Sequence, residues 1–207
     1  MIKRLCTALT GAILILLLTA WYSGSADPAA LLNPRRCVLA DGSVDFNRII
    51  ARVEHIPPEY SIEQANADEC AVFLHYPSGG DSKFLSGERH FQRFLTQAEQ
   101  GLPAAVRIAD FYTVETSIRL ASITDLYFDG QQYFGVIQTK AFAVNAERDG
   151  IRKFAFPYLV SFTDSSGKNV FVATGNKDFT EKDFWAAILS NDLNTVFSMQ
   201  LVTRTTP

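Results

Sequence analysis

The three histidines are the side chains best suited to holding a metal ion. His55, His75 and His90 lie 20 and 15 residues apart in the chain. Zinc sites usually include at least one closely spaced pair of ligands, and these histidines form no such pair. We therefore expect no shared metal site and no cofactor.

Three aspartates are the candidates for acid–base chemistry. Asp110 interrupts an apolar stretch, and Asp125 and Asp129 flank the tripeptide Leu-Tyr-Phe. Carboxylates that meet across neighbouring strands can act as acid and base. A solvated strand face or a turn accounts for them too, and no Gly-x-Ser-x-Gly motif accompanies them. Enzymatic activity is therefore uncertain, and the residues favour a protein that is not an enzyme.

Two arginines are the candidates for binding an anionic group. Arg107 and Arg119 fall on consecutive predicted strands, where their side chains could face each other. The planar guanidinium group matches carboxylates and phosphates in shape and hydrogen bonding. A solvated sheet face explains both arginines as well, and it is the interpretation that we favour.

The hydrophobic period divides the chain into helices and strands. One helix is predicted to begin near Ser86 and to end at Gly101. Another begins at Thr180, with Asp183 at capping-box spacing. Shorter elements are expected earlier, namely helical turns at 45–53 and 62–67 and a strand at 70–74. Period-two alternation predicts strands at 105–114, 118–128, 132–144, 153–163, 169–174 and 195–203.

These elements predict an α+β fold. The connections between the strands are short and carry turn residues, which favours an antiparallel β-meander of about five to six strands. Two main amphipathic helices would pack on one face of this meander. Pro157 has no N–H to donate, so we expect an edge strand or a bulge around it.

The first residues of the chain predict export. Lys3 and Arg4 precede an uncharged stretch, 5–26, whose centre is strongly apolar. This pattern is typical of a signal peptide cleaved before Asp27. The stretch is also long enough for a transmembrane anchor, which needs about 20 residues, so both alternatives stay open. Residues 27–36 would form a linker, and 37–207 a single extracytoplasmic domain that is secreted, periplasmic or tethered to the membrane by the uncleaved segment.

The cysteines of this domain predict a disulfide. Cys37 and Cys70 are the only cysteines after Cys6, and two cysteines in an exported chain usually pair. In the loop-entropy treatment, an unstrained bridge would contribute about 3–4 kcal/mol to the free energy of unfolding. A reactive thiol or a metal ligand is the alternative, and no Cys-x-x-Cys motif supports it.

The charge of the chain excludes one class of partner. Without Lys3 and Arg4, the chain holds 17 basic and 22 acidic residues, with no long run of one sign. A nucleic-acid partner would require a basic face for its phosphates. We therefore expect no nucleic-acid binding.

A series of short motifs occurs in a fixed order between residues 61 and 140. The motifs are Ser61-Ile62-Glu63-Gln64-Ala65, Ala71-Val72, Phe91-Gln92-Arg93-Phe94-Leu95, Val106-Arg107-Ile108, Tyr112-Thr113-Val114-Glu115 and Leu126-Tyr127-Phe128-Asp129-Gly130. In this order the chain resembles an uncharacterised family of small exported domains of Bacillus-type bacteria. Members of that family are often lipoproteins, whereas this chain has no cysteine directly after its apolar segment. The family has no assigned activity, so the resemblance implies fold and location only.

Two classes of function are compatible with these sequence features. The first is a non-catalytic binding or interaction module at the cell envelope, with an unknown protein or small ligand as its partner. The second is a secreted hydrolase whose catalytic residues meet only in the folded structure. An exposed aromatic groove or an apolar cavity would favour the first class. Two titratable groups within hydrogen-bond reach in a cleft, with strongly shifted pKa values, would favour the second.

Overall fold

The elements of the domain alternate between short helices and two sets of strands. The computed structural model describes residues 32–57, 59–75, 83–114, 116–140, 150–165, 167, 169–190 and 196–201. A 3₁₀ turn at Pro34–Arg36 comes first. The helices are α1 (Phe46–Glu54), α2 (Ile62–Ala67), α3 (Glu88–Glu99) and α4 (Glu181–Leu189). The strands are β1 (Ala71–His75), β2 (Lys83–Ser86), β3 (Ala104–Val114), β4 (Ser117–Phe128), β5 (Tyr133–Thr139), β6 (Gly150–Phe156), β7 (Tyr158–Thr163), β8 (Asn169–Thr174) and β9 (Val196–Leu201).

The main sheet has six strands in the order β2-β1-β3-β4-β5-β6. Strands β3 to β6 form an antiparallel meander. Strand β1 lies parallel to β3, because β2 and α3 intervene along the chain and carry it back to the starting edge. The α+β prediction is therefore confirmed, and a single antiparallel meander is only approximately right.

The predicted strand 153–163 is divided at Pro157 between two sheets. Strand β6 before the proline forms an edge of the main sheet, and β7 after it forms an edge of a second sheet, β7-β8-β9. Proline has no N–H to donate to a neighbouring strand, so an interruption at an edge is the arrangement it tolerates. The edge position predicted for this segment agrees with the structure.

The two faces of the main sheet are covered by different parts of the chain. On one face, α1 buries Ile49 and Val53 against β4 and β5, and α2 packs against β1. On the other face, Phe91 and Phe94 of α3 pack with Phe171 of the second sheet. Alternation along β3 and β4 supplies apolar side chains to both faces, which is why both must be covered.

Helix α4 covers the second sheet instead of the main one. Phe184 and Ala187 on its buried side form a separate cluster with Val170 and Val172 of β8. The expectation that both amphipathic helices pack on one face of a single sheet is therefore wrong. The division at Pro157 creates a second sheet with an apolar face of its own, and α4 covers that face.

The helix ends follow the capping rules closely. Ser61 and Thr180 form the capping boxes of α2 and α4, with Gln64 and Asp183 as their reciprocal partners. Helix α3 differs from the prediction, because Ser86 is the last residue of β2 and the N-cap is Gly87.

The predictions for the N-terminal segment fall mostly outside the described residues. Among the residues that the structure describes, no helix is long and apolar enough to cross a membrane, so the transmembrane prediction has no support there. The stretch 1–26 on which that prediction rested lies outside them, as do residues 27–31 of the predicted linker. Pro34 at the end of that linker is buried at the start of the domain.

We expect Gly87→Ala to destabilise the domain strongly. Gly87 has a φ of 70°, and a Cβ there would collide with the backbone carbonyl of Cys70. The left-handed backbone and the collision together should lower the free energy of unfolding by about 2 kcal/mol or more. Urea unfolding measures this change. Gly175→Ala is the matched control, because a Cβ there meets no atom within 4 Å, and an equal loss in both variants would contradict the explanation.

Candidate functional site

Arg107 is held in a buried ion pair with Asp125. Its Nε donates to Oδ1 of Asp125 at 2.6 Å and its Nη2 donates to Oδ2 at 2.8 Å. Asp125 is fully buried and lies directly opposite Arg107 in the register of β3 and β4. Burial alone would lower the pKa of Arg107, but the charge and hydrogen bonds of Asp125 outweigh it and raise the pKa above its usual range. The guanidinium group is therefore already engaged within the core.

The predicted meeting of Arg107 with Arg119 does not occur. Arg119 lies opposite Tyr112, near the far end of the same strand pair, and its side chain is exposed. Sequence spacing placed both arginines on neighbouring strands, but the register decides which residues face each other. The two arginines therefore do not form a shared anion site.

A chain of polar contacts extends from this ion pair to the N-terminal layer of the domain. The Tyr127 hydroxyl lies 3.4 Å from Oδ2 of Asp125, and Nη1 of Arg52 on α1 donates to that hydroxyl at 3.2 Å. Burial and the charge of Asp125 raise the pKa of Tyr127, so the phenol stays protonated. These side chains join α1 to the centre of the main sheet through one partly buried and one buried hydrogen bond.

The predicted disulfide is absent, because Cys37 and Cys70 are both free and buried. Nη1 of Arg52 approaches Sγ of Cys37 at 3.7 Å, whereas Sγ of Cys70 lies 3.5 Å from the Tyr60 hydroxyl. That hydroxyl donates to Asp68, so the Cys70 thiol is the donor to its oxygen. The disulfide prediction is wrong, since a count of two cysteines does not reveal whether each sulfur has another partner.

Burial also makes both thiols weakly acidic. It raises the pKa of Cys37 and raises the pKa of Cys70 to about 11. Reactive cysteines require the thiolate and an accessible, electropositive setting. Neither thiol therefore fits the alternative of a reactive cysteine.

A partly exposed polar cluster lies on the face of the main sheet that α3 covers only in part. Nε2 of His75, the last residue of β1, is 3.1 Å from Oδ1 of Asp110 on β3. The Ser122 hydroxyl on β4 donates to Oδ2 of the same carboxylate at 2.7 Å. The His75 and Asp110 side chains are 18% and 24% exposed, so this cluster can be reached from solvent.

An aromatic ring and a guanidinium group extend the cluster. The ring of Tyr112 stacks on that of His75 with 4.8 Å between centroids, and Tyr112 is 37% exposed. Burial and the charge of Asp110 raise the pKa of the phenol. Arg119 lies directly opposite Tyr112 on β4 and therefore on the same face of the sheet. We call His75, Asp110, Tyr112, Arg119 and Ser122 the polar patch.

A β-bulge aligns the members of the patch. The register of β3 and β4 shifts between Asp110 and Phe111, so that Ala121 is the extra residue of β4. Without it, Arg119 and Ser122 would point to opposite faces, because they are an odd number of residues apart. Bulges of this kind are common next to functional sites. Single-sequence patterns carry no sign of this one, which is why the patch could not be predicted.

The patch resembles a hydrolase site in its residue types but not in the order of the hydrogen bonds that connect them. A serine nucleophile normally donates to a histidine base, which a carboxylate then orients. Here Asp110 lies between the other two residues, so Ser122 donates to the carboxylate and not to His75. A carboxylate is a much weaker base than an imidazole towards an alcohol. The arrangement suits binding of a polar ligand better than activation of Ser122.

The remaining predicted candidates are dispersed. His55 follows α1 and is exposed, while His90 is buried in α3, where desolvation and Arg93 lower its pKa. Asp129 accepts backbone N–H groups of the turn that follows β4. Within the described ranges, no three His, Cys, Asp or Glu side chains are grouped to hold a metal ion.

Helix α4 presents an apolar outer side as well as an apolar inner side. Trp185, Ile188 and Leu189 are exposed, Leu189 to 85%. The indole N–H of Trp185 donates to Glu181 on the preceding turn. Exposed apolar groups on one helix are typical of contact surfaces, although these three residues form a small set.

We expect Asp125→Ala to lower the free energy of unfolding by about 3–5 kcal/mol, because it leaves the Arg107 charge buried without its partner. The double variant Arg107→Met with Asp125→Leu should recover most of this loss, since it removes both charges. Arg119→Leu is the control and should change stability by no more than about 0.5 kcal/mol. Chemical denaturation measures all three, and a double variant as unstable as Asp125→Ala would contradict the proposed cause.

We expect iodoacetamide to alkylate Cys37 and Cys70 in the denatured protein without any reductant. In the folded protein at pH 8 Cys70 should react far more slowly, because it is fully buried and its pKa is about 11. Intact-mass spectrometry counts the adducts in both states. Adducts that appear only after reduction would demonstrate a disulfide and refute the free-thiol assignment.

Comparisons of the chain with models of known protein families, with curated proteins and with solved structures found no match. The resemblance to exported domains of Bacillus-type bacteria therefore stays a prediction.

Proposed function

We propose that this chain is an exported, non-catalytic binding domain whose ligand site is the polar patch. The observation that carries this proposal is the cluster of His75, Asp110 and Ser122, which is partly exposed beside the Tyr112 ring. Ligand sites generally combine an aromatic or apolar surface with a few convergent polar groups. The patch has this composition.

The hydrogen bonds and packing that fix the residues of the patch favour recognition of a defined ligand. Its residues come from three adjacent strands, and the carboxylate of Asp110 is fixed from two sides by His75 and Ser122. On the reverse face, Phe111 and Leu120 are buried in the core beneath α1 and α2. Side chains held in this way lose little conformational entropy when they bind, and this preorganisation increases affinity.

Export is proposed on separate grounds. Lys3 and Arg4 before an uncharged stretch are typical of a signal peptide, and the resemblance to exported bacterial domains points the same way. The acidic balance of the chain is consistent with a ligand other than nucleic acid. The site would then act outside the cytoplasm, at the cell envelope.

A secreted hydrolase is the second candidate function, and one observation favours it. Ser122 donates to Asp110 at 2.7 Å, a distance compatible with proton transfer from a hydroxyl to a carboxylate. The position of Asp110 between Ser122 and His75 counts against hydrolysis. An imidazole is a stronger base than a carboxylate, but the imidazole of His75 is not in contact with the Ser122 hydroxyl.

Binding and hydrolysis can be separated with a soluble extract of the host envelope. We expect the purified protein to retain a small molecule or glycan that native mass spectrometry detects, and to release it chemically unchanged. Tyr112→Ala should lose this adduct, because the aromatic side of the patch is removed. Ile118→Ala should keep it, because Ile118 is exposed on the opposite face of the same strand pair.

Two results would overturn this proposal. An adduct that Tyr112→Ala retains as well as the wild type would place the ligand elsewhere. Conversion of the molecule to a cleaved product, abolished by Ser122→Ala, would establish the hydrolase.

A further inference from the structure

We infer that the ligand of the polar patch is a neutral, polyhydroxylated molecule, namely a saccharide. This inference rests on the proposed binding function and specifies its ligand class. It is carried by three properties of the patch, which are its balanced charge, its mixture of hydrogen-bond donors and acceptors, and its aromatic ring.

The fixed charges of the patch balance each other. Asp110 is negative and Arg119 is positive, and both lie beside Tyr112, one on the same strand and one directly opposite. The His75 imidazole is already engaged by Asp110 at 3.1 Å and belongs to the same hydrogen-bonded cluster. An anionic ligand would be repelled by Asp110, and a cationic ligand by Arg119. A ligand without net charge meets neither penalty.

The polar atoms of the patch offer both donors and acceptors. Each Asp110 oxygen accepts one described hydrogen bond, although a carboxylate oxygen can accept two. Ser122 uses its proton on Asp110, so its oxygen can serve a ligand as an acceptor. Arg119, the cross-strand neighbour of Tyr112, supplies N–H donors. A hydroxyl group donates and accepts at once, so neighbouring hydroxyls on a sugar ring can use both kinds of group.

The ring of Tyr112 provides the apolar part of the surface. One side of it stacks on His75, which fixes its orientation, and the residue is still 37% exposed. Aromatic rings favour contact with C–H groups that carry partial positive charge, and the face of a pyranose ring presents such groups between its hydroxyls. The combination of ring, carboxylate and guanidinium therefore suits one sugar unit.

The inference is tested by titrating the full-length protein with hexasaccharides and following binding by isothermal titration calorimetry. Neutral probes are cellohexaose, maltohexaose and chitohexaose. Hexagalacturonate and the chitosan hexamer are charged counterparts of similar size, one anionic and one cationic. We expect at least one neutral hexamer to bind, and to bind more tightly than either charged one.

Variants locate the binding on the patch. Tyr112→Ala and Arg119→Ala should each weaken the binding by about tenfold or more, whereas Ile118→Ala should leave it unchanged. Arg119 is exposed, so its variant remains informative if Tyr112→Ala fails to fold. Thermal unfolding of each variant verifies that it is folded before it is titrated.

The outcomes separate the ligand class from the binding function. Absence of binding by all three neutral hexamers, or tighter binding of a charged hexamer, would overturn the saccharide inference. If the envelope extract still yields an adduct that depends on Tyr112, the proposed binding function stands with another ligand class. Neutral-hexamer binding that neither patch variant weakens would overturn the assignment to this patch.

Discussion

The buried ion pair of Arg107 and Asp125 is the constraint on which much of the domain depends. Two opposite charges in a protein core are tolerated only when each is fully hydrogen-bonded by the other and by its surroundings. The pair therefore requires β3 and β4 to keep the register that places the two residues opposite each other. It also requires a cover, which α1 provides through Arg52 and the Tyr127 hydroxyl. In this way, one electrostatic requirement couples the register of the central strands to the docking of the N-terminal helices.

The fixed register has a further effect at the far end of the same strands. Once Arg107 and Asp125 are opposite each other, the extra residue Ala121 sets the orientation of its neighbours on β4. It directs Ser122 and Arg119 to the same face, while Leu120 enters the core on the other face. The bulge thus separates a covered half of the sheet from a half that keeps polar groups accessible to a ligand.

Local patterns predicted the elements of this fold well, and long-range relationships poorly. The capping box at Thr180 and the strands β3, β4 and β8 follow from a few neighbouring residues, and these features were anticipated. The parallel pairing of β1 with β3, the division at Pro157 and the partners of Cys37 and Cys70 depend on residues distant in the chain. No periodicity encodes such pairings, because propensity and capping act over one or two turns, while register is set by the whole core.

The candidate site illustrates the same limit more sharply. Asp110 and Asp125 lie on adjacent strands and were equivalent candidates for acid–base chemistry, yet the fold gives them different partners. Asp125 is fully buried and faces a guanidinium group whose two donors engage both of its oxygens, so it serves structure. Asp110 faces an imidazole and a hydroxyl, each of which engages one oxygen, and it stays a quarter exposed. A carboxylate that is accessible to solvent and can accept further hydrogen bonds can bind a ligand. This difference between Asp110 and Asp125 makes the polar patch the candidate site.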